Sequence, residues 1–368
     1  MGPIEKALRE KFFPSLFGGE DIDADFRKIL SHGVKYGGLG IPDPRLSAKS
    51  AYNTSNATSR LLVDSLLGGS VLNYVGHRVC VHKASQPARL SKRIDEISEM
   101  FERQEQAGRQ DKNRLHRATS NWALLGTVPH RLNGTELSRE EFRDNFHLRY
   151  GLMPQDIPAT RDGCGKKFSI EHALSCPKGG LVIAWHDDNA KEWGALGARA
   201  LVPSAITYEP KINSRTVQRE RTGAGARQEE VEADGGTDRL GGQPGQVVVP
   251  PVSNSDVSAH GFLKRGTTTM FDIRIVNLDA GSYLCMMPEK ALAKAMKEKK
   301  DLYLQACLER RRTFTPMVYS ADGMPRVEAL AAQKRLAALL SYKLKREYSE
   351  MCGFVRALMS LATNTQGL

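Results

Sequence analysis

The stretch that most constrains the fold of this sequence is residues 270–276, MFDIRIV. Side chains alternate across a β-strand. One face of such a strand would carry three apolar side chains, Phe271, Ile273 and Ile275. Asp272 and Arg274 would share the other face. We therefore predict a strand over residues 267–276, with one face on a core and an acid and a base on the opposite face.

A lysine-rich segment follows, and its spacing predicts a helix from Pro288 to about Arg311. The apolar stripe of this helix consists of Leu292, Met296, Tyr303 and Ala306. Lys299 lies on the same stripe, three residues after Met296 and four before Tyr303. A lysine on a core-facing stripe requires an acidic or phosphate partner, so Lys299 is a candidate site residue. The alternative is that its ammonium group reaches solvent while the stem stays buried.

Two further acids could join Asp272. Asp256 lies sixteen residues earlier, and Glu209 belongs to a short strand predicted over residues 206–212. Two carboxylates with a lysine suit metal-assisted phosphodiester cleavage, in which Asp256 and Asp272 hold Mg²⁺ or Mn²⁺. Arg274 is the alternative cation. The competing interpretation is that Asp272 and Arg274 form an ordinary surface pair.

A second candidate metal site is the C-x7-H-x3-C spacing of Cys164, His172 and Cys176. His172 and Cys176 are four residues apart and would share one face of a short helix, as zinc ligands often do. For the fourth ligand, His186, Asp162 or a water molecule remain open. The alternative is three unrelated side chains near a turn.

Composition narrows the class of partner. The net charge of +11 and pI near 9.3 favour polyanions, above all nucleic acid. The sequence contains no apolar run long enough for a membrane span and no signal peptide. Its six cysteines are too sparse for a disulfide framework. We expect an intracellular protein of the nucleus or cytoplasm that neither enters a membrane nor is secreted.

The order of predicted elements gives the fold class. The N-terminal half is helical, and its charged helix at 88–118 is either a solvated connector or a contact for a nucleic-acid backbone. Residues 213–248 are rich in Arg, Glu, Gly and Gln, which predicts a disordered insertion. Around it, helices and strands alternate in the order of an α/β layer. We therefore predict a multidomain α+β and α/β chain, ending in a small mixed-sheet α/β domain.

Several motifs in this order resemble the C-terminal part of non-LTR retrotransposon polyproteins. They are HALSCPKGG at 172–180, WHDDN at 185–189, EPKI at 209–212, FDIRIVN at 271–277 and KEKKDLYL at 297–304. Such elements carry a restriction-enzyme-like endonuclease after their reverse transcriptase, and the sequence looks most like copies from algae and other protists. The resemblance covers most of the chain.

The resemblance implies three regions. Residues 1–120 are similar to the thumb-like and connector helices after the polymerase palm. Residues 121–186 are similar to a linker helix and CCHC zinc knuckle. Residues 187–361 are similar to the PD-(D/E)xK endonuclease. The implied function is nicking of target DNA so that element RNA can be reverse transcribed, with DNA and element RNA as partners. The alternative is a nucleic-acid-binding module without catalysis, or a decayed remnant.

The implied site residues fall on Asp256, Asp272 and a downstream lysine, with Glu209 in the Glu-Pro pair. The sequence departs from the family pattern at four positions: Arg161 replaces the first knuckle cysteine, Trp185 a basic residue, Ser255 a proline and Arg274 the lysine of the signature. The lysine role would pass to Lys299. These departures suggest a degenerate copy. The chain has no Tyr-x-Asp-Asp motif, so it contains no polymerase site.

Overall fold

The fold combines many helices with one small sheet. The computed structural model describes residues 2–19, 21–106, 108–120, 123–126, 128–153, 157–161, 163–174, 176, 178, 181–212 and 254–364. The insertion predicted over 213–248 lies outside the described residues.

The N-terminal region is helical, as expected. Its helices are α1 (Pro3–Ala7), α2 (Phe13–Leu16), α3 (Ala24–Ser31), α4 (Pro44–Leu67), α5 (Tyr74–Gln106), α6 (Arg109–Ser120), α7 (Ala123–Gly126) and α8 (Arg139–Tyr150). A π-helical turn, Leu8–Phe12, joins α1 to α2. Side chains fix several starts: Asp23 accepts a hydrogen bond from the N–H of Phe26, and Ser138 and Glu141 form a capping box.

A small aromatic core holds the first helices to α8. It is built from the buried side chains of Phe13, Phe17, Leu30 and Phe146. Beside this core, the guanidinium of Arg27 donates two hydrogen bonds of 2.9 Å to the carboxylate of Glu5. Both side chains of this pair are buried, so α1 and α3 are joined by paired charges as well as by apolar contacts.

Helices α4 and α5 pack against each other as a long hairpin with little core of its own. None of the 24 residues of α4 is buried. The thiol of Cys80 on α5 donates to the carbonyl of Ala57 on α4 over 3.3 Å. The hairpin therefore leaves most of its side chains in solvent.

The C-terminal region contains the sheet. Its helices are α9 (Ile170–Ala173), α10 (Leu181–Ala200), α11 (Pro288–Glu309), α12 (Val327–Leu344) and α13 (Tyr348–Asn364), and its strands are β1 (Ile206–Tyr208), β2 (Val257–His260), β3 (Thr268–Val276) and β4 (Thr313–Ser320). The four strands follow chain order across the sheet. β1, β2 and β3 pair antiparallel, whereas β4 pairs parallel to β3. The parallel pair is joined through α11, as a parallel connection requires.

Both faces of β3 are covered. On one face, Phe271 and Ile273 join the main core, together with residues of α10, β4, α12 and α13: Trp193, Leu196, Met317, Tyr319, Leu336, Leu340 and Val355. On the other face, Val276 packs with Leu292 and Ala295 of α11. The face that was predicted to carry only Asp272 and Arg274 therefore also lies under a helix, with buried Met270 and Val276 at its two ends.

Some boundaries differ from the predicted ones. The short strand β2 was not predicted, because its four residues VSAH give little periodicity. Helix α10 begins at Leu181, so the predicted domain boundary at residue 186 falls inside it. None of the helices in the described parts of the chain is long and apolar enough to cross a membrane.

Candidate functional site

The register of the sheet brings two of the predicted acids together. Val257 of β2 pairs with Phe271 of β3, so Asp256, one residue before β2, lies beside Asp272. The backbone N–H of Asp256 donates to the carbonyl of Phe271 over 3.1 Å. Residues that face each other on antiparallel strands project to the same side. Both carboxylates therefore lie on the sheet face that α11 covers.

Asp272 and Lys299 form the central ion pair of the site. Lys299 Nζ lies 2.6 Å from Asp272 Oδ2, and the two side chains are 19% and 3% exposed. The same ammonium lies 5.6 Å from the ring centroid of Tyr303. Burial raises the pKa of Asp272 to about 6, an effect that the charge of Lys299 opposes and that of Asp256 reinforces. The position on the helical stripe thus gives Lys299 the acidic partner that its sequence context required.

Asp256 has a different set of partners. Its Oδ2 accepts a hydrogen bond from the backbone N–H of Ile273 and lies 3.1 Å from Nε2 of His186 on α10. The hydrogen bond to Asp256 raises the pKa of His186 to about 9, against the effect of burial. At neutral pH the second acid of the site is therefore paired with a protonated imidazole.

Glu209 and Arg274 occupy less central positions. The side chain of Glu209 is exposed, but its backbone N–H donates to the carbonyl of Asp256 over 2.9 Å. Its φ is +49°, so the chain turns sharply next to Asp256. Arg274 NH1 lies 2.6 Å from Glu298 Oε2. The basic residue two positions after Asp272 is thus directed to an acid on α11, while Lys299 takes the position beside Asp272.

A solvent-open groove of about 730 Å³ adjoins these residues. Its lining comprises His186, Ile273, Arg274, Ile275, Glu298, Lys299, Asp301 and Leu302. Charged groups on α10, β3 and α11 therefore meet at one opening. Lys299 and His186 border this opening, whereas Asp256 and Asp272 are not part of its lining.

The predicted Cys and His residues also come together. The ligand atoms of Cys164, His172 and Cys176 all lie within 4.8 Å of one another. Cys164 Sγ lies 3.0 Å from His172 Nε2. A tight turn places Cys164, because the N–H of Gly165 donates to the carbonyl of Arg161 over 2.8 Å. Ser169 caps α9 and so orients His172. This cluster could hold a metal ion.

Two thiols and an imidazole are the donor set that zinc prefers. The hydrogen bond to His172 lowers the pKa of Cys164 to about 7, which favours the thiolate that a metal binds. Arg161 is buried and its NH1 donates to the carbonyl of His172 over 3.4 Å. It supports the loop and cannot replace a ligand.

The fourth zinc ligand does not come from His186. The structure places that imidazole against Asp256 because α10 runs from Leu181 and carries it toward the sheet. Asp162, another predicted candidate, lies outside the described residues. The described part of the chain therefore supplies three protein ligands to the cluster.

A second cavity, of about 240 Å³, lies where α6 meets the ends of β3 and β4. Its charged lining is already paired. Arg117, which is buried, donates to Asp322 over 2.5 Å and to Asp279 over 2.8 Å. These contacts join the N-terminal helices to the sheet, and we assign the cavity a structural role.

His186 is the residue of the acidic site that the sequence did not assign there. It lies 70 residues before Asp256, and no local spacing links the two. The signal that could have found it is the helical register of α10: Trp193 is buried in the main core, and His186 lies seven residues, or about two turns, earlier on the same side.

Comparisons with known proteins do not assign the chain to a family. No protein-family model matches it, and no curated protein is significantly similar to it.

Proposed function

We propose that this protein is a metal-dependent DNA endonuclease whose site is formed by Asp256, Asp272 and Lys299. The observation that carries this proposal is the ion pair between Lys299 Nζ and Asp272 Oδ2, 2.6 Å apart, at a site where Asp256 lies directly before the next strand. Two carboxylates and a lysine beside an open groove suit hydrolysis of a phosphodiester.

The two carboxylates would serve as ligands of a hard cation. Within the described part of the chain, the contacts given for both acids fall on Oδ2, and we propose that the cation binds through Oδ1. Mg²⁺ or Mn²⁺ takes one or two carboxylates and fills its remaining positions with water and phosphate oxygens. A cation bound there would lower the pKa of a water molecule and neutralise charge on the phosphate.

Protein side chains would supply the remaining roles, which are orientation of the carboxylates and positive charge for the phosphate. Lys299 holds Asp272 in place and offers a positive charge to a phosphate oxygen in the groove. His186 fixes the orientation of Asp256. Glu209, exposed at the turn next to Asp256, is a third acid whose backbone contacts Asp256. Arg274 is tied to Glu298 and would widen the positive lining of the groove.

We further propose that the chain derives from a non-LTR retrotransposon and that the sheet region is its restriction-like endonuclease domain. The parental activity would be a nick in target DNA that primes reverse transcription of element RNA, which requires access to the nucleus. The small mixed sheet, with the two acids beside each other, supports this origin, as does the Cys and His cluster upstream of it.

The cluster of Cys164, His172 and Cys176 would bind Zn²⁺, with water as the fourth ligand. Metal analysis of the purified protein should find close to one zinc per chain. Cys164→Ser should lose it, whereas Cys352→Ser, a change on α13, should keep it. Zinc retained by the Cys164 variant would contradict this assignment.

Nicking of supercoiled plasmid in Mg²⁺ or Mn²⁺ tests the nuclease proposal. Asp272→Asn preserves the shape of the side chain and removes its charge, and we expect the rate to fall on the order of 100-fold or more. Asp188→Asn, on the outer part of α10, is the matched control and should leave the rate unchanged. Equal nicking by Asp272→Asn and the parent protein would overturn the assignment.

A catalytically inactive nucleic-acid-binding module is the second candidate. Arg274 stands where a lysine is expected and is held by Glu298, which favours this alternative. Duplex binding that weakens with salt, without any nicking by the parent protein, would support it. A chain that neither binds nor nicks would be an inert remnant.

A further inference from the structure

The part of the α4–α5 hairpin before Asp95 carries much of the excess positive charge of the chain. Residues 44–93, which we call the basic hairpin, contain eight Lys or Arg and one Asp, a net charge of +7 out of +11. From Tyr74 to Ile94 there is no acid at all. The acidic residues of α5 begin at Asp95 and lie beyond the basic hairpin.

Four of the five Lys and Arg side chains of α5 before Asp95 lie along one side of the helix, and Lys83 is the exception. Positions 78, 82, 86, 89 and 93 are three or four residues apart, so their side chains lie on one side of α5. This basic stripe consists of Arg78, His82, Gln86, Arg89, Lys92 and Arg93, and every one of these side chains is exposed. At about 1.5 Å per residue, the stripe extends roughly 22 Å.

The opposite side of α5 packs on α4 and fixes the direction of the stripe. Ala84 and Ala88 are half-buried there, and Cys80 is bonded to Ala57 of α4. Small residues let the two helices approach closely, so the long basic side chains all point to solvent. The stripe is therefore held in place by the fold of the hairpin.

The stripe has few partners within the protein. Lys92 lies 3.8 Å from Glu96, and Arg78 lies near the ring of Tyr74. Among the ion pairs of the described residues, none involves Arg78, Arg89 or Arg93. Glu96 also accepts a hydrogen bond from the N–H of Gly33, and Glu99 lies 2.7 Å from His32. Apart from the pair of Lys92 with Glu96, the described ion pairs leave the cations of the stripe without an acidic partner.

We propose that the basic stripe binds the sugar-phosphate backbone of a nucleic-acid duplex, at a surface separate from the acidic site. A length of roughly 22 Å corresponds to about six base pairs at 3.4 Å per step. Arginine suits such contacts because its guanidinium donates to two phosphate oxygens at once. Gln86 adds a neutral donor. Such a contact would not depend on the base sequence of the duplex.

The arrangement of apolar residues favours a duplex over a lipid surface. A helix that lies on a membrane separates a wide apolar face from a basic one. Here the exposed Val79 and Leu90 lie beside the basic stripe and not opposite it. The side of α5 opposite the stripe packs on α4 and cannot enter a bilayer.

The test measures the affinity of the full chain for a 20-base-pair DNA duplex by fluorescence anisotropy, at several salt concentrations. The stripe variant carries Arg78→Gln, Arg89→Gln and Arg93→Gln. The control variant loses the same charge elsewhere, through Lys264→Gln, Arg265→Gln and Lys334→Gln, all at exposed positions.

We expect the stripe variant to bind at least about 10-fold more weakly near 0.1 M salt, and its salt slope to fall by about 2 to 3. The control variant should lose much less. Equal losses in the stripe and control variants would overturn the proposal. Unchanged duplex binding by the stripe variant, with lost binding to phosphatidylserine vesicles, would overturn it in favour of a membrane contact.

Discussion

The sheet region and the basic hairpin differ in how far their apolar side chains are buried. In the sheet region, Phe271 and Leu336 are completely buried. In the hairpin, Leu66 is 72% exposed, Leu67 84% and Val71 97%. The two regions have comparable aliphatic content, but only the first surrounds its apolar side chains with other elements.

Because burial differs, charged side chains have different effects in the two regions. In the sheet region, burial places Asp272 and Lys299 out of water, where one charge strongly alters the other. On the hairpin, the charges remain in water and act over a distance on a polyanion. The candidate chemistry therefore belongs to the packed region, and the proposed duplex contact belongs to the open one.

The largest difference in the free energy of unfolding should come from truncating one apolar side chain to alanine in each region. Phe271→Ala should lower the free energy of unfolding by about 3–5 kcal/mol, because it leaves a cavity beside Trp193. Leu66→Ala should change it by less than about 0.5 kcal/mol. Urea titration followed by tryptophan fluorescence gives both values. A comparable loss for Leu66→Ala would mean that the hairpin tip is packed after all.

A smaller effect should separate a buried ion pair from an exposed one. Lys299→Met leaves the carboxylate of Asp272 unpaired and should cost about 2–4 kcal/mol at pH 8. Lys92→Met breaks a pair whose lysine is 57% exposed and should cost less than about 0.5 kcal/mol. The cost of Lys299→Met should shrink below pH 6, because protonated Asp272 needs no partner. The same urea titration in EDTA, at pH 8 and pH 5, measures this.

The smallest effect is a pH dependence that only the sheet region should show. The folded pKa of His186 is about 9, above its ordinary value near 6.5. Its contribution to stability is therefore complete below pH 6.5 and is lost as the pH rises through 9. Because the side chain is 36% exposed, we expect about 1 kcal/mol or less.

His186→Gln should accordingly differ from the parent protein at pH 6 and match it near pH 10. His82→Gln on the hairpin, where His82 contacts only the amide of Gln86 among described hydrogen-bond partners, is the control and should show no such trend. A constant difference for His186→Gln across this range would rule out the charged pair with Asp256.

Those elements of the sheet region that have a regular spacing of apolar residues could be predicted from the sequence. The alternation in β3 located its ends within a residue, and the stripe of α11 identified Lys299 as inward-facing. Both follow from local geometry, since spacing along one element decides which side chains share a face. The catalytic roles proposed for these residues remain predictions.

Contacts between distant elements could not be predicted. The pairing of Asp256 with Asp272 depends on the register of β2, which has only four residues. The contact of His186 with Asp256 depends on how α10 packs on the sheet. The outward leucines of the hairpin were also unpredictable, because their helical spacing is the same as that of a buried face.

The hydrogen bond from the N–H of Ile273 to the carboxylate of Asp256 has a practical consequence. This amide belongs to β3, yet its partner is a side chain instead of the neighbouring strand. Its proton resonance would therefore follow the occupancy and charge of Asp256 directly. Ile273 provides an internal NMR reporter for titrations with divalent cations, at a position where no label has to be introduced.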